Sequence, residues 1–137
     1  MEIDCPVEVT GMASVADFMT SEPGWLDPEQ RIQTAWEMMR EHRVRHVPIC
    51  KDGRLVGLIT QKDLFVNAQS VAVMSLPVAE LMIQDVITIT TDVSLRDAAI
   101  LLRDRHISCV PVVDANDQLL GILTDTDLLS CLIDLLE

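Results

Sequence analysis

The amino-acid sequence predicts a mixed α/β (α+β) fold built from two copies of one motif packed about a pseudo-twofold axis. Three observations predict it. The chain repeats itself, each copy changes from helical to strand periodicity at the same place, and 137 residues suit one shared core better than two free-standing domains.

The repeat is legible residue by residue. Val15-Ala16-Asp17-Phe18-Met19 returns as Val78-Ala79-Glu80-Leu81-Met82, 63 residues on, and Arg40, Val47 and Pro48 return as Arg103, Val110 and Pro111. The second copy then carries one extra turn residue, so Leu55, Gly57, Thr60, Asp63 and Leu64 return 64 residues on as Leu119, Gly121, Thr124, Asp127 and Leu128. The copies are assigned to residues 12–74 and 75–137.

Each copy reads as a helix, two short strands and a closing helix. Asp27-Pro28-Glu29-Gln30 has the chemistry of a helix start: an N-cap acceptor, proline at the first helical position and a glutamine able to close a capping box. Ile32, Ala35, Trp36 and Met39 follow at i, i+3, i+4 and i+7, a single apolar stripe, which Leu95, Ala98, Ala99 and Leu102 repeat. Trp36, on that stripe, is read as core. The strands are His46 to Cys50 and Leu55 to Ile59 around Lys51-Asp52-Gly53, then Cys109 to Val113 and Leu119 to Leu123 around Ala115-Asn116-Asp117. Pro48 and Pro111 have no ladder donor, so their strands belong at an edge or bend there. Closing helices run from about Gln61 to Val73 and from Asp125 to Leu136, with residues around Ser75 to Pro77 as the link.

Two copies with the same apolar face bury it against each other and leave two related clefts between them. The turn Gly-x-x-Thr-x-x-Asp closes both hairpins and puts a hydroxyl and a carboxylate at each cleft mouth. Thr60 with Asp63 and Thr124 with Asp127 are therefore the candidate binding pairs. The same spacing also caps a helix, and the residues alone leave both roles open.

Composition excludes several classes. A net charge of −12 disfavours nucleic acid and an anionic membrane surface, both of which are bound through clustered Lys and Arg. Cys5, Cys50, Cys109 and Cys131 show neither C-x-x-C nor metal-ligand spacing, so they read as reduced thiols. The three histidines share no ligand spacing, and no metal site is assigned. Met1-Glu2-Ile3-Asp4 is unlike a signal peptide, and Val71 to Ile83 is too short and too interrupted to span a bilayer, so a cytoplasmic protein is expected. A mean hydropathy of +0.28 is high for a monomer. Leu128, Leu129, Cys131, Leu132, Leu135 and Leu136 leave the last helix apolar round most of its surface, which predicts a homodimer.

These motifs resemble the cystathionine-beta-synthase (CBS) domain, a tandem pair of which forms a Bateman module. The resemblance rests on His46-Val47-Pro48-Ile49 and Cys109-Val110-Pro111-Val112, on the turns Gly57 to Asp63 and Gly121 to Asp127, and on the opening Val-Ala-x-x-Met segments. It covers about residues 12 to 136, with no attached catalytic domain in the sequence. It implies a β-α-β-β-α unit and a regulatory module that binds AMP, ADP, ATP or S-adenosylmethionine between the motifs and signals to an unidentified partner protein. No cofactor is required and no catalytic residue is assigned.

Carried over by position, the resemblance assigns Asp63 and Asp127 to the ribose hydroxyls and Thr60 and Thr124 to ribose or phosphate. Arg45 and His46 fall where the family's phosphate-binding basic residues stand, whereas the second copy has Ser108 and Cys109. His42, Arg43, Arg105 and His106 stand nearby but read as exposed helix ends. Adenine is expected near Trp25 and Leu26, and near Val86, Ile87 and Thr88, with Val110 and Pro111 on the adjoining strand. Pro23-Gly24-Trp25 departs from the family pattern, and Trp25 either stacks on a base or plugs its cleft. The alternative function is a ligand-free interaction or dimerisation module.

Two further motifs are set aside. Asp125-Thr126-Asp127 after an apolar strand resembles a haloacid-dehalogenase nucleophile, but Gln61 replaces Asp125 in the first copy and the chain is short for that domain. Asp114 to Asp117 begins like a calcium loop, yet Leu119 stands where an EF-hand needs glycine.

Overall fold

The computed structural model describes residues 14–67 and 70–136. Cys5, the N-terminal residues, and Ala68 and Gln69 of the first predicted closing helix lie outside them, as does Glu137. The chain divides into two compact units: Gly24–Val86, and the described residues up to Pro23 together with those from Ile87 on. The units are offset from the sequence copies. Each combines the body of one copy with the opening segment of the other.

In the unit Gly24–Val86, helix α2 (Ile32–His42) buries Ile32, Ala35 and Met39 on a two-stranded sheet of β2 (His46–Lys51) and β3 (Arg54–Thr60). Val47, Ile49, Ile59, Leu64 and Val78 complete this core. Burying each such aliphatic side chain is worth about 1.5–3 kcal/mol. Trp36 is half-buried against the core and meets Phe65 edge-on, with ring centroids 5.5 Å apart at 75°. The opening segment of the second copy joins here: Leu58 and Ile83 exchange backbone hydrogen bonds of 3.0 and 2.8 Å along the free side of β3.

The helix starts later than its capping chemistry suggests. Gln30 Oε1 does accept from the Asp27 amide at 2.8 Å, but this closes a turn. Arg31 is extended and bridges Pro77, so α2 begins only at Ile32. The first closing helix is also interrupted. Helix α3 (Gln61–Asn67) is followed by a separate α4 (Val71–Met74), because Ser70 is extended and caps the second piece through a bond from the Val73 amide to Ser70 Oγ.

Proline placement follows its missing donor. Pro48 pairs with Leu58, whose own N–H and C=O are turned to Ile83, so this rung needs no proline N–H. On its other side, the Pro48 carbonyl accepts from Leu26, and Leu26 accepts from Cys50. A register shift follows at Ile49/Cys50. The hairpin turns on Asp52 and Gly53, both at positive φ, the geometry that Asp-Gly favours.

The other unit repeats the plan. Helix α1 (Val15–Phe18) and strand β1 (Thr20–Ser21) come from the first copy. They join α5 (Leu95–Arg105), β4 (Cys109–Val113), β5 (Leu119–Thr124) and α6 (Asp125–Leu135). The sheet order is β1-β5-β4, antiparallel throughout, with Pro111 on the outer strand and a register shift at Val112/Val113. Val15, Leu95, Ala98, Leu102, Val110, Val112, Leu123 and Cys131 form its core. The segment matching α1 in the second copy is only a single 3-10 turn, Val78–Glu80.

Candidate functional site

The antiparallel register assembles the candidate residues. His46 lies opposite Thr60 at the end of the β2–β3 ladder, and the Gln61 amide donates to the Arg45 carbonyl at 2.8 Å. Asp63 sits one turn into α3. Its Oδ2 accepts from the Thr60 hydroxyl at 2.7 Å and from the Thr60 amide at 3.3 Å, while its own amide donates to Thr60 Oγ1 at 3.2 Å. Arg45, His46, Thr60 and Asp63, predicted from separate motifs, thus meet at one end of one hairpin.

The same construction recurs in the other unit. Cys109 pairs with Thr124, and the Asp125 amide donates to the Ser108 carbonyl at 2.9 Å. Thr124 and Asp127 form a reciprocal capping box with bonds of 2.9 and 3.2 Å. In both units the capping role is therefore real, and it engages only Oδ2 of the carboxylate. An ionised carboxylate offers about four lone-pair sites, so Oδ1 keeps acceptor capacity for a diol.

The remaining predicted residues divide by burial. Arg45 is exposed, and His46 is buried at 8% exposure. Val86 and Ile87 are half-buried, and Ile87 packs on its unit's core. Val110 and Pro111 are wholly buried within β4. Val110 belongs to the core of its unit. Trp25 is 51% exposed, beside Leu26, which bridges Ile49 in parallel. His42, Arg43, Arg105 and His106 are exposed at the ends of α2 and α5, with Arg43 and His106 as left-handed C-caps.

Gln61 and Asp125 are the site neighbours that motif reading passed over. Their matched positions in the repeat were visible, but only the structure shows their amides bonded to residues 45 and 108, just before the partner strands. Among the described residues, no cluster of three or more His, Cys, Asp or Glu could hold a metal ion, and no helix is long and apolar enough to cross a membrane.

The family model for the CBS domain matches residues 15–68 and 78–134. The chain belongs to the CBS domain family. A CBS domain-containing protein, YhcV of Bacillus subtilis, is 33% identical over 118 residues, covering 85% of this chain and 84% of that one. A homoserine O-acetyltransferase of Methanocorpusculum labreanum is 40% identical over 116 residues, 84% of this chain but only 23% of the enzyme, so the likeness is to a small part of it. Among solved structures, a chain described as an acetoin utilization protein (AcuB) from Vibrio cholerae superposes with TM-score 0.84 at 34% identity, covering 91% and 93% of the two chains. The CBS domain pair of protein MJ0100, in complex with 5'-methylthioadenosine and S-adenosyl-L-methionine, gives 0.80 at 30% identity, covering 90% and 98%. CBSX2 in complex with AMP gives 0.79 at 26% identity, with the same coverage.

Proposed function

We propose that this CBS pair is a regulatory module that binds an adenosine-type ligand, AMP, ADP, ATP or S-adenosylmethionine, at its Thr-x-x-Asp turns and signals the bound state to a partner protein. One observation carries the reading: the strand register gathers Arg45, His46, Thr60 and Asp63 at one end of a hairpin. A carboxylate accepts from both hydroxyls of a cis diol, and charge-assisted bonds of this kind contribute about 1.5–3 kcal/mol. The AMP and S-adenosylmethionine complexes of the similar CBS structures support the ligand class. Binding is reversible and the module performs no reaction of its own.

The module works as a homodimer. Helix α6 turns Cys131 into its core, with Leu128 and Leu135 packed against it, yet leaves Leu129, Leu132, Ile133 and Leu136 exposed. An apolar face of this kind is the natural seat for a second copy.

Chemical unfolding with and without each ligand tests the function. A ligand at about 100 times its dissociation constant adds roughly 2.7 kcal/mol. A gain with at least one ligand, lost in both Asp63→Ala and Asp127→Ala combined, is the expected result. No gain with any of them overturns it in favour of a ligand-free interaction module.

A further inference from the structure

The opening segment of each copy carries a methionine whose sulfur lies over a strand glycine. Met82 puts Sδ and Cγ where a Cβ on Gly57 would stand, with Cγ 2.9 Å from that point. Met19 does the same at Gly121, with Sδ 2.5 Å and Cε 3.0 Å from it. Glycine leaves a hollow on β3 and on β5, and an unbranched thioether fills each one. Gly57 and Gly121 are buried, whereas Met19 and Met82 are half-buried and keep part of their surface in solvent. Met38 and Met74 are half-buried too, but neither sits over a strand glycine.

The two ends of each opening segment are held unequally. Val15 and Val78, wholly buried, pin the start. Past the methionines the attachment is short: β1 pairs two residues with β5, and Ile83 makes a one-residue bridge to Leu58.

We infer that Met19 and Met82 are oxidation sites, each of which hydrogen peroxide converts to the sulfoxide, unseating the end of its opening segment from the edge of β5 or β3. A sulfur lone pair takes one peroxide oxygen, the S–O bond forms as the O–O bond breaks, and water leaves. Sulfur is oxidised by two electrons and peroxide is reduced by two. The product is a polar, chiral group where an apolar one was packed. Its oxygen needs a hydrogen-bond donor, and neighbouring amides are taken. Leu58 donates to the Ile83 carbonyl at 3.0 Å and Ile83 to the Leu58 carbonyl at 2.8 Å, while in the other unit Glu22 donates to the Leu120 carbonyl at 3.3 Å. Leaving the oxygen unpaired against a buried strand costs more than turning it to water, so the side chain leaves the hollow and the adjoining edge bonds open more often. Thiol-dependent methionine sulfoxide reductases, one for each epimer, return the thioether and reverse the change.

Hydrogen peroxide applied to the folded whole chain tests this, followed by dithiothreitol to return any oxidised cysteine. Peptide mass spectrometry reads the sulfoxide at each methionine, and amide hydrogen exchange reads the sheet edges. Expected are sulfoxides at Met19 and Met82, with exchange about tenfold faster at Leu58 and Ile83 in step with Met82, and at Glu22 in step with Met19. The two reductases together should restore slow exchange. Met82→Leu should abolish the response at Leu58 and Ile83 and keep that at Glu22, Met19→Leu should do the reverse, and Met38→Leu should alter neither. Sulfoxides at Met19 and Met82 with exchange unchanged at those amides overturn the inference. So do Met19 and Met82 that stay thioethers at peroxide doses converting Met38 and Met74. Both of these results are read on the unaltered chain, so they decide the matter even where a leucine variant fails to fold.

Discussion

His46 stands directly across the β2–β3 ladder from Thr60, the residue whose hydroxyl donates to Asp63. A basic motif before one strand and a hydroxyl–carboxylate motif after the next become neighbours through strand register, over a separation that no local pattern spans. The predictions below test how firmly that arrangement is held.

Gly121 is the tightest point on β5. A Cβ there would come 2.5 Å from Met19 Sδ and 2.8 Å from the Thr20 carbonyl oxygen, so Gly121→Ala should destabilise the protein by about 1–3 kcal/mol. Adding Met19→Ala should recover only part of the loss, because the backbone oxygen remains. Urea unfolding of the single and double variants measures both. Full recovery would show that the side chain alone sets the limit.

Caps inside and outside the site should behave differently. Ser94 Oγ accepts from the Asp97 amide at 3.0 Å at the start of α5, away from either turn. Ser94→Ala should cost about 1 kcal/mol and leave ligand affinity unchanged. Thr124→Ala removes the bond from the Asp127 amide, and should cost a similar amount of stability while also weakening ligand binding. Paired unfolding and titration experiments separate the two effects.

Stability should fall in alkaline solution. Burial pushes the Cys50 thiol from its ordinary value of 9.0 up to about 11. The folded protein therefore keeps a proton that the unfolded chain loses, so stability is complete below about pH 9 and declines as pH rises toward 11. A shift of this size corresponds to at most about 3 kcal/mol. Burial and then the Asp134 carboxylate also raise Cys131, adding to the same trend. Urea midpoints from pH 8 to 11 should fall less steeply in Cys50→Val than in the unaltered protein.

The exposed face of α6 predicts association. Sedimentation at micromolar concentration should give a dimer, and Leu132→Glu with Ile133→Glu should shift it to monomer without lowering the urea midpoint of the isolated chain by more than about 0.5 kcal/mol, since both residues are largely exposed. A monomer before mutation would remove the basis for the pairing.

Left-handed caps offer a last test. Arg43 and His106 both hold φ of 55°, a conformation that L side chains adopt at a cost and glycine adopts freely. His106→Gly should therefore stabilise the chain by about 0.5–1 kcal/mol in thermal or urea unfolding.

Much of this molecule was written locally. The apolar stripe of α2, both hairpins and the Thr-x-x-Asp turns all depend on residues a few places apart, where periodicity and turn chemistry act directly, and the repeat shows each of them twice. Elements that depended on distant partners were not legible. Asp27 to Gln30 has the composition of a helix start, but α2 waits until Ile32 because Arg31 is drawn into a bridge with Pro77. Val110 and Pro111 share the family motif, yet the packing of β4 decides that both are wholly buried. The tertiary structure also decided which opening segment completes which sheet, since the outer edges of β3 and β5 carry backbone groups that need partners, and two similar copies offer two segments able to supply them. The sequence alone determined two like Thr-x-x-Asp turns; only the pairing of β2 with β3 brought Arg45 and His46 to the first of them, because that contact joins strands rather than neighbours in the chain.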